Sequence, residues 1–88
     1  GKEATGIAGV FKSTSGWEDG KFYCLHNAAP AGSVIKITNT ATGKYIYAKV
    51  LDAMPDLKQN NDLIVLMSNS AADAVGAGIN NFNCMVNY

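Results

Sequence analysis

Apolar and polar positions alternate most clearly between Val34 and Leu51. Ile35 and Ile37 share one face and Lys36 the other, while further on Ile46, Ala48 and Val50 oppose Tyr45, Tyr47 and Lys49. This period of two, in stretches rich in β-branched and aromatic residues, predicts a β-hairpin with arms Val34–Thr38 and Lys44–Leu51. Between the arms, Asn39-Thr40-Ala41-Thr42-Gly43 supplies side chains that bond their own backbone and a glycine able to take positive φ, as a five-residue hairpin loop requires. Asp52 follows where the apolar pattern stops, so a rigid strand would hold a carboxylate at the rim of the sheet.

The same reading along the rest of the chain gives further short strands. Thr5–Phe11 reads as a strand carrying two glycines, which mark a bulge or a close backbone approach. Lys12–Lys21 is a polar loop whose one large residue is Trp17; Phe22–Leu25 is a short strand, and His26–Gly32 a turn-rich link into the hairpin. Pro55–Asp62 is a polar loop. Leu63–Met67 is a continuous apolar run, the pattern of a strand buried on both faces. Ser68-Asn69-Ser70 offers helix N-caps, with Ser70 three residues ahead of Asp73, for a short helix over Ala71–Val75 that Gly76 stops. Asn83–Asn87 closes the chain as a strand. About six short strands and one short helix predict a mainly β fold, a small closed barrel, because closure removes edges that so small a sheet could not protect.

Composition narrows the function. The 88 residues are 48% apolar and 16% charged, a globular chain with a largely neutral polar surface. That length makes one domain, burying roughly 60–65% of its unfolded surface. Seven lysines balance seven acids and arginine is absent, which leaves no clustered cationic patch for phosphates and no guanidinium fork for base edges. Nucleic-acid binding is therefore not expected. No apolar run approaches the 18 or so residues of a transmembrane segment, and the start lacks the apolar core of a signal peptide. Cys24 and Cys84 allow two readings. A disulfide would close a loop of about 61 residues and stabilise the fold by about 4 kcal/mol; the alternative is a pair of buried free thiols acting as small hydrophobes. A metal site from Cys24, His26 and Cys84 lacks zinc-pair spacing and a fourth ligand, so neither metal nor cofactor is expected.

At this point the order of motifs resembles the rare lipoprotein A family. The stretch from Cys24 to Asn39, with His26 ahead of Pro30-Ala31-Gly32 and a strand ending in Thr38-Asn39, is similar to that family's histidine, Pro-x-Gly turn and Thr-Asn strand. Gly43 matches its hairpin turn, Val50–Pro55 its Val-x-Asp-Arg-Gly-Pro signature, and Ser68–Gly76 its Ser-x-x-Ala-Ala-x-x-Leu-Gly helix. The resemblance runs from about Thr5 to Tyr88 and implies a six-stranded double-psi β-barrel. It also implies a bacterial cell-wall role, since several such domains are peptidoglycan lytic transglycosylases. On this reading residues 1–88 are a single domain excised from a longer exported protein of the periplasm or cell envelope, a monomer whose partner is peptidoglycan glycan. The family's histidine and aspartate fall on His26 and Asp52. Two departures stand out: Ala53-Met54 replaces the Arg-Gly after the aspartate, and Leu66 stands where the family has a second carboxylate.

Glycoside cleavage needs a proton donor to the leaving oxygen and stabilisation of an oxocarbenium-like centre. Asp52 is the candidate donor, its proton affinity raised by burial beside Leu51, Met54 and Leu66, and His26 would orient it or steady the developing charge. The alternative is a strand-end aspartate accepting turn N–H groups and a histidine bonded within its own loop. Asp56 and Asp62, in a polar loop, read as solvated surface. Tyr45 and Tyr47, with Trp17 or Tyr23, would form a sugar-stacking face; Trp17 as a cap on the core, and cross-strand packing of the tyrosines, are the alternatives. With an arginine and a carboxylate missing, the expected function is a domain that binds peptidoglycan glycan strands with weak or absent catalysis. The alternatives are an active lytic transglycosylase and a structural or protein-interaction barrel.

Overall fold

The computed structural model describes all 88 residues, Gly1–Tyr88. Six strands, β1 (Glu3–Phe11), β2 (Phe22–Leu25), β3 (Val34–Asn39), β4 (Tyr45–Asp52), β5 (Leu63–Ser68) and β6 (Phe82–Asn87), are joined by one helix, α1 (Asn69–Ala74). They close into a barrel in the order β1-β5-β2-β4-β3-β6. The contacts β1·β5 and β2·β4 are parallel and the other four antiparallel. The protein is thus mainly β, a small closed six-stranded mixed barrel with one short helix, as the strand count and the need to hide edges predict. Its one α-helix is too short to cross a membrane, and no helix is apolar enough to do so.

Register follows from which side chains must face inward, because a slip of one residue would turn every apolar side chain to water. Ile35 sits opposite Ala48, Ile37 opposite Ile46 and Val86, Cys24 opposite Val50 and Met67, and Ala8 opposite Val65. Apart from the half-buried Ile46, these side chains are buried, and Ala71 and Ala72 of α1 pack into the same core. Cys24 and Cys84 are both free thiols in that interior. Of the two cysteine readings, the structure carries the buried pair and no disulfide. Burial pushes Cys24 up to about 12 and Cys84 up to about 11, so both stay protonated at neutral pH.

The glycines of β1 do both things a strand glycine can signal. The register with β5 shifts between Ile7 and Ala8, a bulge, and a Cβ on Gly9 would lie 2.5 Å from Cδ1 of Leu63 and 2.8 Å from Cδ1 of Leu66. Leu63, Ile64 and Leu66 are half-buried, so β5 is covered on its outer side only in part, short of the full burial its apolar run predicts.

Helix α1 starts earlier than predicted. Its N-cap is Ser68, whose Oγ accepts from the Ala71 N–H, and Ser70 lies inside the first turn. The reason is that the Ser70 hydroxyl is engaged elsewhere, donating to the Ser15 carbonyl at 2.6 Å. At the helix's other end Val75 O accepts from Asn39 Nδ2 at 3.0 Å and Thr42 Oγ1 at 2.8 Å, tying the hairpin turn to the helix terminus.

Candidate functional site

His26 and Asp52 lie at the same end of the barrel, where β2 and β4 run out in parallel. The His26 N–H donates to the Asp52 carbonyl at 3.0 Å, so the backbone holds the two residues side by side. Their side chains part company. The His26 ring is buried, 4.7 Å from the Tyr88 ring between centroids, and its Nδ1 accepts from Ala28 N at 3.2 Å and Ala29 N at 2.9 Å. An Nδ1 that accepts fixes the neutral tautomer with the proton on Nε2. Burial lowers the pKa of the ring below its usual value, which keeps it neutral.

Asp52 is exposed, and its Oδ1 accepts from the N–H of Ala53 at 2.7 Å. The burial expected around this carboxylate is absent, because Leu51 turns outward and is 49% exposed, and Ala53 leaves the carboxylate open to water. Neither residue lines the cleft that holds Trp17 or the cleft between Asn27 and Leu63. The local geometry is a strand-end aspartate closing on the following N–H and a histidine bonded within its own loop. Asp56 lies beside Met54 and Pro55 in a separate cleft of about 240 Å³, and both Asp56 and Asp62 are exposed.

The aromatic candidates fall into two groups. Trp17 and Tyr23 line one cleft of about 340 Å³ together with Thr14, Ser15, Glu18, Asp19 and Lys21. Trp17 is 53% exposed, so it does not cap the core, and its Nε1 donates to the Ser13 carbonyl at 3.2 Å, which fixes the ring's direction. The loop that carries it is anchored. Asn69 Oδ1 accepts from Ser13 N at 3.0 Å, Ser70 Oγ donates to the Ser15 carbonyl, and Gly20 N donates to the Gly16 carbonyl at 3.1 Å. Gly16 sits at φ 89°, and a Cβ there would stand 2.5 Å from Ser70 Oγ and 3.0 Å from Phe22 Cδ1. Only glycine lets the loop approach so closely.

Tyr45 and Tyr47 project outward from β4, edge to face, with ring centroids 6.0 Å apart and an interplanar angle of 88°. Lys36 places its Nζ 4.3 Å from the Tyr45 ring centroid, a cation–π contact on the same outer face. Tyr23 lies opposite Lys49 across the parallel β2·β4 pair. Tyr47 and Tyr45 therefore lie one and two outward positions further along β4, toward the end at which the Trp17 loop enters β2.

The structure thus brings Trp17 to Tyr23 and Tyr45 to Tyr47, and sets His26 and Asp52 together through backbone alone. Pattern reading missed the polar residues that complete the Trp17 cleft and the lysines of the tyrosine face. Their signal was present, since residues 20–51 contain four lysines and neither Asp nor Glu. No protein-family model matches this chain, and no curated protein matches it in sequence.

Proposed function

We propose that this domain binds peptidoglycan glycan strands at the bacterial cell envelope, with weak or absent catalysis, as a double-psi barrel of the rare lipoprotein A kind. The observation that carries the reading is the cleft shared by Trp17 and Tyr23. An exposed indole, fixed by its own N–H bond on a pinned loop, faces hydrogen-bonding groups of both signs at Glu18, Asp19 and Lys21. An aromatic ring ringed by polar donors and acceptors is what a sugar asks for, because a sugar has an apolar C–H face and a polar hydroxyl rim. The closed mixed barrel and the order of the His26, Gly43, Asp52 and Ser68–Gly76 motifs support the family assignment.

Weak or absent catalysis follows from the acid. A glycosidic leaving oxygen must be protonated by a carboxyl held in a site that shields it, and Asp52 is a solvent-exposed carboxylate with one oxygen already accepting from Ala53. His26 cannot orient it through Nδ1, which is committed to Ala28 and Ala29.

The test is retention of purified glycan strands by the domain, with Trp17→Ala as the variant, together with mass spectrometry of the incubated strands. Wild-type retention that falls at least tenfold in Trp17→Ala, with no 1,6-anhydro ends released, is the expected result. Anhydro product that disappears in Asp52→Asn would make the domain an active lytic transglycosylase instead. Absence of retention would leave a structural or protein-interaction barrel.

A further inference from the structure

We propose that the outward face of the β3–β4 hairpin is a second subsite, which takes a carboxylate-bearing sugar of the same strand. This inference rests on the glycan reading above and gives it a substrate class. Tyr45 and Tyr47 are 55% and 58% exposed on a rigid strand, and Lys36 and Lys49 stand on the same outer face. The face supplies no acid of its own. Across β6, Asn87 separates Lys36 from Glu3, and that glutamate already accepts from the Asn87 amide at 3.2 Å. The cations of the hairpin are therefore unneutralised by neighbouring strands, while in the Trp17 cleft two acids, Glu18 and Asp19, stand against one lysine, Lys21.

That separation of charge divides the labour. A neutral ring suits the cleft, where Glu18 and Asp19 outnumber the single cation Lys21; a carboxylate suits the tyrosine face, where its sugar ring can lie on Tyr47 between Lys49 and Lys36, the latter already over the Tyr45 ring. The two are continuous, because Tyr23 lines the cleft and lies opposite Lys49. From Lys49 back to Tyr45 is about 13 Å along β4. An acidic peptide fits less well. The barrel is closed, so no strand edge is free for backbone pairing, and Tyr45 and Tyr47 stand edge to face and exposed on β4, which gives a helix no apolar groove.

The test compares peptide-free glycan strands, which carry a carboxylate on every muramic acid, with the same strands reduced to the neutral alcohol. Binding is read by calorimetry at low and at high salt. Wild type should prefer the carboxylated strand about three- to tenfold at low salt, and added salt should shrink the preference. Lys36→Gln/Lys49→Gln should bind both strands with the affinity that wild type has for the neutral one. Tyr45→Ala/Tyr47→Ala removes the stacking surface and frees Lys36 from the Tyr45 ring, so it should weaken both strands and the carboxylated one most, whereas Trp17→Ala should weaken both alike. Equal wild-type binding of the two strands overturns this subsite and leaves the glycan reading standing. Binding of neither strand overturns the reading itself. Polyglutamate that competes as well as the carboxylated strand would overturn the subsite in favour of an acidic peptide.

Discussion

Replacing His26 separates a positioning role from a chemical one. Two backbone N–H groups, of Ala28 and Ala29, end on its Nδ1, and its ring lies against Tyr88. His26→Leu leaves both donors without a partner, one of them buried. Each lost bond is worth about 0.5–1.5 kcal/mol and an orphaned buried donor about 1–3 kcal/mol. With the aromatic contact also gone, the expected loss is about 2–4 kcal/mol. His26→Asn should lose only about 1 kcal/mol, because an asparagine Oδ1 accepts from N–H groups further along its own turn. The pH dependence gives the sharper reading. Burial lowers the folded-state pKa of His26, so below about pH 6.5 the unfolded chain takes up the proton first. Stability from this group is complete above pH 6.5 and is lost as pH falls toward the lowered folded value, at up to about 1.4 kcal/mol per pH unit. Urea unfolding of wild type, His26→Asn and His26→Leu between pH 8 and pH 5 measures it, since the three proteins differ only at residue 26. A wild-type minus His26→Asn difference that stays flat over this range, or a His26→Leu variant as stable as wild type, would refute the reasoning.

Gly16→Ala should lower stability by about 2–4 kcal/mol, from left-handed backbone strain and the displaced Ser70 hydroxyl, and should weaken glycan retention with it. Gly20→Ala, where a Cβ meets nothing within 4 Å, carries only the backbone strain of about 1–2 kcal/mol; equal unfolding midpoints for the two variants would contradict the close approach at Ser70. Cys24 and Cys84 should resist a thiol reagent in the native protein and react only as fast as the barrel opens in urea; prompt labelling of either would place it outside the core. Because burial raises both thiols, they stabilise fully below pH 9 and lose that contribution as pH climbs toward about 11 to 12, a fall that a Cys24→Ala/Cys84→Ala variant should lack in alkaline unfolding curves. Asn39→Ala removes the amide that bonds Val75 O and the acceptor for Ala41 N, for an expected loss of about 2–3 kcal/mol by chemical denaturation; an unchanged midpoint would show that Thr42 alone holds the turn to the helix.

The two site residues of the family resemblance, Asp52 and His26, were legible to different degrees in the sequence. Asp52 was legible as a strand-end residue, because an apolar alternation that stops is a local signal. Whether its carboxylate is buried depends on Leu51, Met54 and Leu66, which come from different elements. Leu51 turned out to face outward, for the plain reason that it continues the outward series of Tyr45, Tyr47 and Lys49. His26 was legible as a loop residue, and the two N–H groups it accepts are near neighbours in the chain, so its bonded reading was available from the start.

Read alone, the sequence determined the strands, the hairpin and the closure of the sheet. Alternation of Ile35, Ile37, Ile46, Ala48 and Val50 assigns an inner and an outer face without reference to any partner. Strand ends were less secure, as at Ser68 and Ser70, where two equivalent caps compete and a contact from Ser15, far away in the chain, decides between them. Tertiary structure alone decided which aromatic residues share a surface. Trp17 meets Tyr23 because Asn69 and Ser70 hold its loop, and the tyrosine face adjoins that cleft because β2 lies parallel beside β4. The physical reason is that alternation is written in neighbouring residues, whereas a site is assembled from strands whose order in the barrel is set by burying all the inner faces at once.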